Sequence, residues 1–192
     1  MRFLFMIFVG LFVVACKDSQ VPSQKYSYNA PSKQYVFEVG KSFLHIKLDS
    51  KPIQKGVLLM FVGEECANCQ MYYEHFNNLA KSYQEVQILG VLQSPTSNED
   101  IEHFITKHHI EFEVIAPQNP INMPQIIVQS KQNLNNQNLN DENASLSQES
   151  QDYQKLELPY FVLYDTKGDF YQDYWGIIPE EIFASDITQM LD

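Results

Sequence analysis

The sequence predicts an α/β domain built on a central sheet with helices on both faces. Three observations carry that expectation. The run Gly56-Val57-Leu58-Leu59-Met60-Phe61-Val62-Gly63 is continuously apolar and bounded by glycines, as a strand buried on both faces is. Val86 to Leu92 is a second such run, and between the two Met71, Phe76, Leu79, Ala80 and Tyr83 recur at helical spacings. Strand, helix, strand, helix is the order that places helices over a buried sheet.

The remaining elements follow from local signals. Tyr35, Phe37 and Val39, then Phe43, Leu44, Ile46 and Leu48, alternate loosely with polar residues and predict one or two edge strands. Ser97-Asn98-Glu99-Asp100 opens a helix running through His109, with Ile101, Phe104, Ile105 and His108 along one side. Phe112 to Ala116 reads as a short strand. Leu158-Pro159-Tyr160-Phe161-Val162-Leu163-Tyr164 is a buried strand entered through proline. Asp165-Thr166-Lys167-Gly168 is a turn, and Asp169 to Tyr174 returns as the second strand of a hairpin. Gly176 follows, and Pro179-Glu180-Glu181 opens a last helix with Ile182, Phe183, Ile187, Met190 and Leu191 as its apolar side. One stretch breaks the pattern. From Gln129 to Gln154 twelve of 26 residues are Asn or Gln, so residues 129–155 read as a polar insertion, flexible or weakly helical.

Both ends and the charge bound the function. The chain has 192 residues, 13 basic and 24 acidic, for a formal charge of −11, with no basic run. That surface has no electrostatic footprint for a polyphosphate, so nucleic acid is not an expected partner. Arg2 precedes an apolar stretch from Phe3 to Ala15, too short for an ordinary membrane span and matching the apolar core of a secretory signal. Val13-Val14-Ala15-Cys16 resembles a bacterial lipobox, which implies a signal peptide over 1–15 and a lipid on Cys16. Residues 16–34, with Pro22 and Pro31, read as the lipidated cysteine and a flexible tether; 35–192 read as the folded domain. A body this acidic would be repelled by anionic lipid, so attachment is expected to rest on acyl chains.

The chemistry sits in Glu64-Glu65-Cys66-Ala67-Asn68-Cys69, where a buried strand gives way to a helix. At a helix start, unpaired backbone N–H groups and the positive end of the dipole favour thiolate, the form that attacks a disulfide. Cys66 is therefore the expected nucleophile. Cys69, one turn in, is the expected resolving thiol that closes the internal disulfide and releases the substrate. Two other readings compete. A zinc site could use the two cysteines with His75 or the His108-His109 pair, although no second C-x-x-C completes a ligand set. A static disulfide could belong to a scaffold or partner-binding lipoprotein, although so short a loop constrains little chain entropy. No cofactor box, phosphate loop or serine nucleophile motif is present, so neither a cofactor nor a resident metal is expected.

Buried strand, C-x-x-C, long helix, strand, helix, then a proline-led hairpin, a glycine and a closing helix resemble the thioredoxin superfamily, in particular the membrane-tethered thioredoxin-like lipoproteins of bacterial envelopes. The resemblance spans Phe43 to Leu191 apart from the insertion. It implies a three-layer fold with a mixed sheet and the polar insertion placed before the hairpin. It also implies a protein-disulfide oxidoreductase acting on thiol and disulfide proteins of the envelope and recharged by a membrane electron donor. Pro159 matches the family's cis-proline, which lies against the dithiol; Pro124, in Met123-Pro124-Gln125-Ile126, is the competing candidate. The chain departs from the family pattern in three places: Glu65 replaces a tryptophan, Ala67-Asn68 replaces Gly-Pro, and Met60 stands where thioredoxins bury an acid. The single tryptophan is Trp175. Glu64 and Glu65 disfavour a neighbouring thiolate and no cation lies in the motif, so Cys66 is expected only modestly below the free thiol value of about 8.5. A reducing or intermediate poise follows.

Overall fold

The computed structural model describes residues 23–63, 65–137 and 158–192. The signal-like residues 1–15, Cys16, the chain to Pro22, Glu64 and the insertion from 138 to 157 lie outside them. Among the described residues nine strands form one sheet: β1 (Gln24–Ala30), β2 (Lys33–Val39), β3 (Leu44–Leu48), β4 (Lys51–Pro52), β5 (Gly56–Val62), β6 (Val86–Leu92), β7 (Glu113–Pro117), β8 (Tyr160–Tyr164) and β9 (Phe170–Trp175). The α-helices described with them are α1 (Gln70–Ser82), α2 (Asn98–His108), α3 (Met123–Gln137) and α4 (Glu180–Leu191). The sheet order is β4-β3-β2-β1-β7-β6-β5-β8-β9. β5, β6 and β7 run parallel and every other pairing is antiparallel, so the sheet is mixed, as the sequence resemblance implies.

All seven residues of β5 are buried, because the strand has a core on each face. On one face Leu58, Met60 and Val62 join Cys69, Tyr72, Phe76 and Leu79 of the α1 side, Ile101 and Phe104 of α2, and Phe183 and Ile187 of α4. On the other, Leu59 and Phe61 join Tyr160, Val162 and Tyr164, the inward residues of β1–β3, and Met123, Ile127 and Val128 of α3. Each fully buried large side chain contributes roughly 1.5–3 kcal/mol. The sheet curls far enough for its two ends to meet. Leu44 N–H donates to the Gly168 carbonyl at 2.8 Å, and Phe170 N–H donates to the Ser42 carbonyl at 2.8 Å.

Several expectations are corrected. Gln24–Ala30, placed in the tether, is a strand lying between β2 and β7 rather than a linker, so the folded body begins before residue 35. Its burial falls on Tyr28 and Ala30, which pair against Tyr35 and Lys33; among polar neighbours that short alternation is easily overlooked. The segment 35–48 yields two strands, β2 and β3, but neither is an edge; β4 takes that place. The first residues of the insertion continue α3, with Pro124 at its second position, where proline's missing N–H has no helical partner to lose. Met71 and Ile182, assigned to apolar helix sides, are 49% and 46% exposed, because Tyr72 with Tyr73 and Phe183 with Ile187 face the core instead. No helix among the described residues is long and apolar enough to cross a membrane.

The α2 helix forms as its sequence dictates. The Ser97 hydroxyl accepts the Asp100 N–H at 3.1 Å, and Glu99 and Asp100 occupy the positive first turn. At its other end His108 packs between Tyr73 and Phe104, at 5.1 and 4.7 Å between ring centres, and its buried Nε2 has no hydrogen-bond partner among the described residues. Burial, reinforced by the charges of Lys107, His103 and His109, lowers its pKa. A depressed histidine stabilises the fold above its unfolded value of about 6.5, and that contribution is lost as pH falls below it. His108→Phe is therefore expected to lose less melting temperature than the unaltered protein between pH 7 and pH 5.5; parallel curves would overturn this.

Candidate functional site

β5 delivers the chain to Gly63, and a tight turn then places both cysteines at the start of α1. Cys66 N–H donates to the Gly63 carbonyl at 3.1 Å, and Cys69 N–H to the Cys66 carbonyl at 3.1 Å. Residues Ala67–Cys69 form one 3-10 turn that runs directly into α1. Cys66 and Cys69 are disulfide-bonded, with their Cα atoms 5.3 Å apart. Cys66 is half-buried and flanked by exposed Glu65, Ala67 and Asn68, whereas Cys69 is fully buried. The two cysteines therefore differ in their access to solvent.

Two further segments complete the site. β8 pairs antiparallel with β5, Phe61 opposite Tyr160, which brings Leu158 and Pro159 to the end of β5 that leads into the cysteine turn. A Cβ on Gly63 would sit 3.2 Å from Leu158 Cδ1, so glycine allows this close approach. The Leu158–Pro159 peptide is cis, and it is the one cis peptide among the described residues; the bond before Pro124 is not cis. The third segment is Trp175-Gly176-Ile177. Tyr72, three residues after Cys69, holds it: its hydroxyl donates to the Gly176 carbonyl at 2.9 Å and accepts the Ile178 N–H at 2.6 Å. Ile177 is 74% and Trp175 52% exposed, so this segment shows large apolar side chains to solvent.

No family model matches the chain, and no curated protein matches it. Solved structures do. A thioredoxin-family thiol:disulfide interchange protein from Chlorobium tepidum aligns over 90% of this chain and 97% of its own, with a TM-score of 0.51 at 11% identity. The exposed lipoprotein thioredoxin of Streptococcus pneumoniae aligns over 86% of this chain and 99% of its own, with a TM-score of 0.50 at 13% identity. The fold is thioredoxin-like. Identities this low speak for the fold alone.

Within this thioredoxin-like frame, the departures noted in the sequence acquire positions. Met60 is fully buried in the same core as Cys69, so the place of the usual acid is filled by a thioether. Asn77 is the buried polar side chain of that helix. Its Nδ2–H donates to the His109 carbonyl at 2.9 Å and its Oδ1 accepts the Glu111 N–H at 2.7 Å, pinning α1 to the end of α2. Trp175 lies on β9 rather than before the first cysteine, half-exposed, with its ring 5.7 Å from that of Tyr160. A cleft of about 490 Å³ opens on the other side of the turn, between Gly63, Glu65, Ser94, Thr96 and Asp100.

The histidines named as possible metal ligands do not converge on the cysteines. His75 lies 4.0 Å from Glu180 and edge-on to Tyr72, and His108 is in the aromatic cluster described above. The hydroxyl functions of Tyr72 and Tyr160 are not among the site residues that the sequence points to. The available signal was a tyrosine where phenylalanine would fill the same space.

Proposed function

We propose that this chain is a protein thiol–disulfide oxidoreductase of the cell envelope. The observation that carries the reading is a half-exposed Cys66 bonded to a buried Cys69 at the start of α1, on the strand end that Leu158 and Pro159 also reach. In the reducing direction the Cys66 thiolate attacks one sulfur of a substrate disulfide. The substrate S–S bond breaks, the other sulfur leaves as a thiolate and takes a proton, and a Cys66–substrate mixed disulfide forms. Cys69, having given up its proton, attacks the Cys66 sulfur. The Cys66–Cys69 bond closes and the second substrate thiol departs. Two electrons and two protons have then passed from the dithiol to the substrate. A membrane-bound dithiol or other two-electron donor must reopen the disulfide for the next turn.

The substrate class is polypeptides carrying a reachable cystine, docked in extended form along the free peptide edge at Leu158–Pro159. The reducing or intermediate poise rests on Glu65 next to Cys66 and on the absence of a cation within the motif. Attachment by a lipid on Cys16, with residues 1–15 removed as a signal peptide, rests on the Val-Ala-Cys boundary and on the fold shared with an exposed lipoprotein thioredoxin. The domain would then stand outside the cytoplasm on the chain preceding Ser23.

Titrating the Cys66–Cys69 pair against glutathione tests the activity and its direction together. A midpoint in the reducing to intermediate range supports the reading. A strongly oxidising midpoint reverses the direction, and a pair that does not titrate leaves a static disulfide in a binding lipoprotein. For the anchor, Cys16→Ser is expected to accumulate as unlipidated precursor, read by mass spectrometry. An acyl-free mature protein from the unaltered gene would overturn the lipid assignment.

A further inference from the structure

The face of the sheet away from the dithiol carries a buried ionic network that the proposed exchange chemistry does not use. Tyr160 Oη–H donates to Asp173 Oδ2 at 2.9 Å, and Lys131 Nζ lies 2.7 Å from the same oxygen. Only 8% of the Asp173 side chain is exposed, and Lys131 Nζ also sits 4.2 Å over the Phe170 ring. A carboxylate so desolvated is held by charge-assisted bonds, and removing either donor leaves it short of a partner. Burial, with the Asp173 charge behind it, raises the Tyr160 hydroxyl far above its ordinary range, so it remains a proton donor at every working pH.

Its location gives the network its meaning. Leu59, Val162 and Asp173 are in register across β5, β8 and β9, on the face that packs against α3; Cys69, Tyr72 and Phe161 belong to the opposite core. The network therefore has no path to the sulfurs through the core. It reaches the site through the backbone, because Tyr160 directly follows Pro159. The Tyr160 ring lies between Phe61, stacked at 5.7 Å, and Trp175, tilted at 5.7 Å, while its hydroxyl is fixed by Asp173 and, behind that, by a side chain of α3.

We infer that Lys131, acting through Asp173 and Tyr160, is a positioning residue that sets where the Leu158–Pro159 edge stands to receive the substrate chain. This rests on the oxidoreductase reading above. The ion pair governs docking of a polypeptide disulfide and leaves the intrinsic reactivity of Cys66 alone.

The test uses the full chain and three variants: Tyr160→Phe, which removes only the hydroxyl, Lys131→Met, and Lys131→Arg, which keeps the charge. Reduction of insulin reports docking plus chemistry, and alkylation of reduced Cys66 by iodoacetamide reports the thiol alone. Tyr160→Phe and Lys131→Met are expected to raise KM for insulin by about three- to tenfold with kcat within about twofold. Alkylation rate and glutathione midpoint should match the unaltered protein. Lys131→Arg should restore KM, and combining Tyr160→Phe with Lys131→Met should do no more than the larger single change. A fall in melting temperature with KM unchanged would make the network merely structural and overturn the inference. An altered alkylation rate or midpoint would overturn it too, by placing the effect on the sulfur. If the unaltered protein alkylates normally yet leaves insulin intact, the oxidoreductase reading itself fails, and this inference with it.

Discussion

Cys66→Ser is expected to abolish disulfide reduction, and Cys69→Ser to turn the protein into a trap. With Cys66 replaced, the more accessible of the two thiols is gone, and exchange should fall by more than about a thousandfold. With Cys69 replaced, attack still occurs but nothing inside the protein closes the internal disulfide. Mixed disulfides should then accumulate on Cys66, visible as higher bands that collapse when a reductant is added. The asymmetry rests on burial, since Cys66 is half-exposed and Cys69 has no exposure. Equal trapping by both variants would overturn the division of roles. Met60 adds a further expectation. The core around Cys69 holds no buried carboxylate among the described residues, so its proton must leave toward solvent. Even in the unaltered protein, the mixed disulfide should shorten in lifetime as pH rises. Met60→Asp should weaken that dependence by supplying a local acceptor.

The second large effect is on stability, at a turn far from the cysteines. Gly168 has φ +84°, and a Cβ there would stand 2.5 Å from the Leu44 carbonyl oxygen and 2.7 Å from His45 Cδ2. The nearest obstacle is backbone, which cannot swing aside. Gly168→Val must adopt a left-handed conformation, at about 1–2 kcal/mol, and must push β3 away from the hairpin. That breaks the bond from Leu44 N–H to Gly168 O, a further loss of about 0.5–1.5 kcal/mol. A total of about 3 kcal/mol corresponds to a fall of roughly 6–12 °C in melting temperature for a chain of this size. Gly176 is the control. It has φ +85° but open space around its missing Cβ, so Gly176→Ala should lose only the conformational term of about 1 kcal/mol. Equal losses at the two glycines would show that the contact with Leu44 contributes nothing.

What could be read in advance was whatever the chain encodes locally. β5 and β6 announce themselves because burial on both faces removes polar residues, and α2 because Ser97 and Asp100 form its cap from adjacent positions. The C-x-x-C turn and the cis-proline are similarly local: each is a short string next to a strong strand. β1 escapes sequence reading because its inward residues, Tyr28 and Ala30, are few and one of its two partners, β7, is remote in the chain. Helical spacing fixed the period of α1 and α4 but not their phase, so Met71 and Ile182 were placed inside while Tyr72 carries the hydrogen bonds that matter. The link from Lys131 to Asp173 and Tyr160 joins three elements brought together only by the tertiary fold, and no spacing in the sequence reports it.

The meeting of Ser42 and Leu44 with Gly168 and Phe170 bears on how the protein behaves in a crowd. An open nine-stranded sheet presents two rows of unpaired peptide groups, each a template onto which another chain can add. Here one margin is the two-residue β4, ended by a proline that has no N–H to offer, and the other, β9, is occupied at its beginning by the loop that enters β3. Neither margin offers a long, flat recruitment line. Edges closed in this way resist pairing with another chain, and loosening the Gly168 turn would free the start of β9 and so reduce colloidal solubility along with stability.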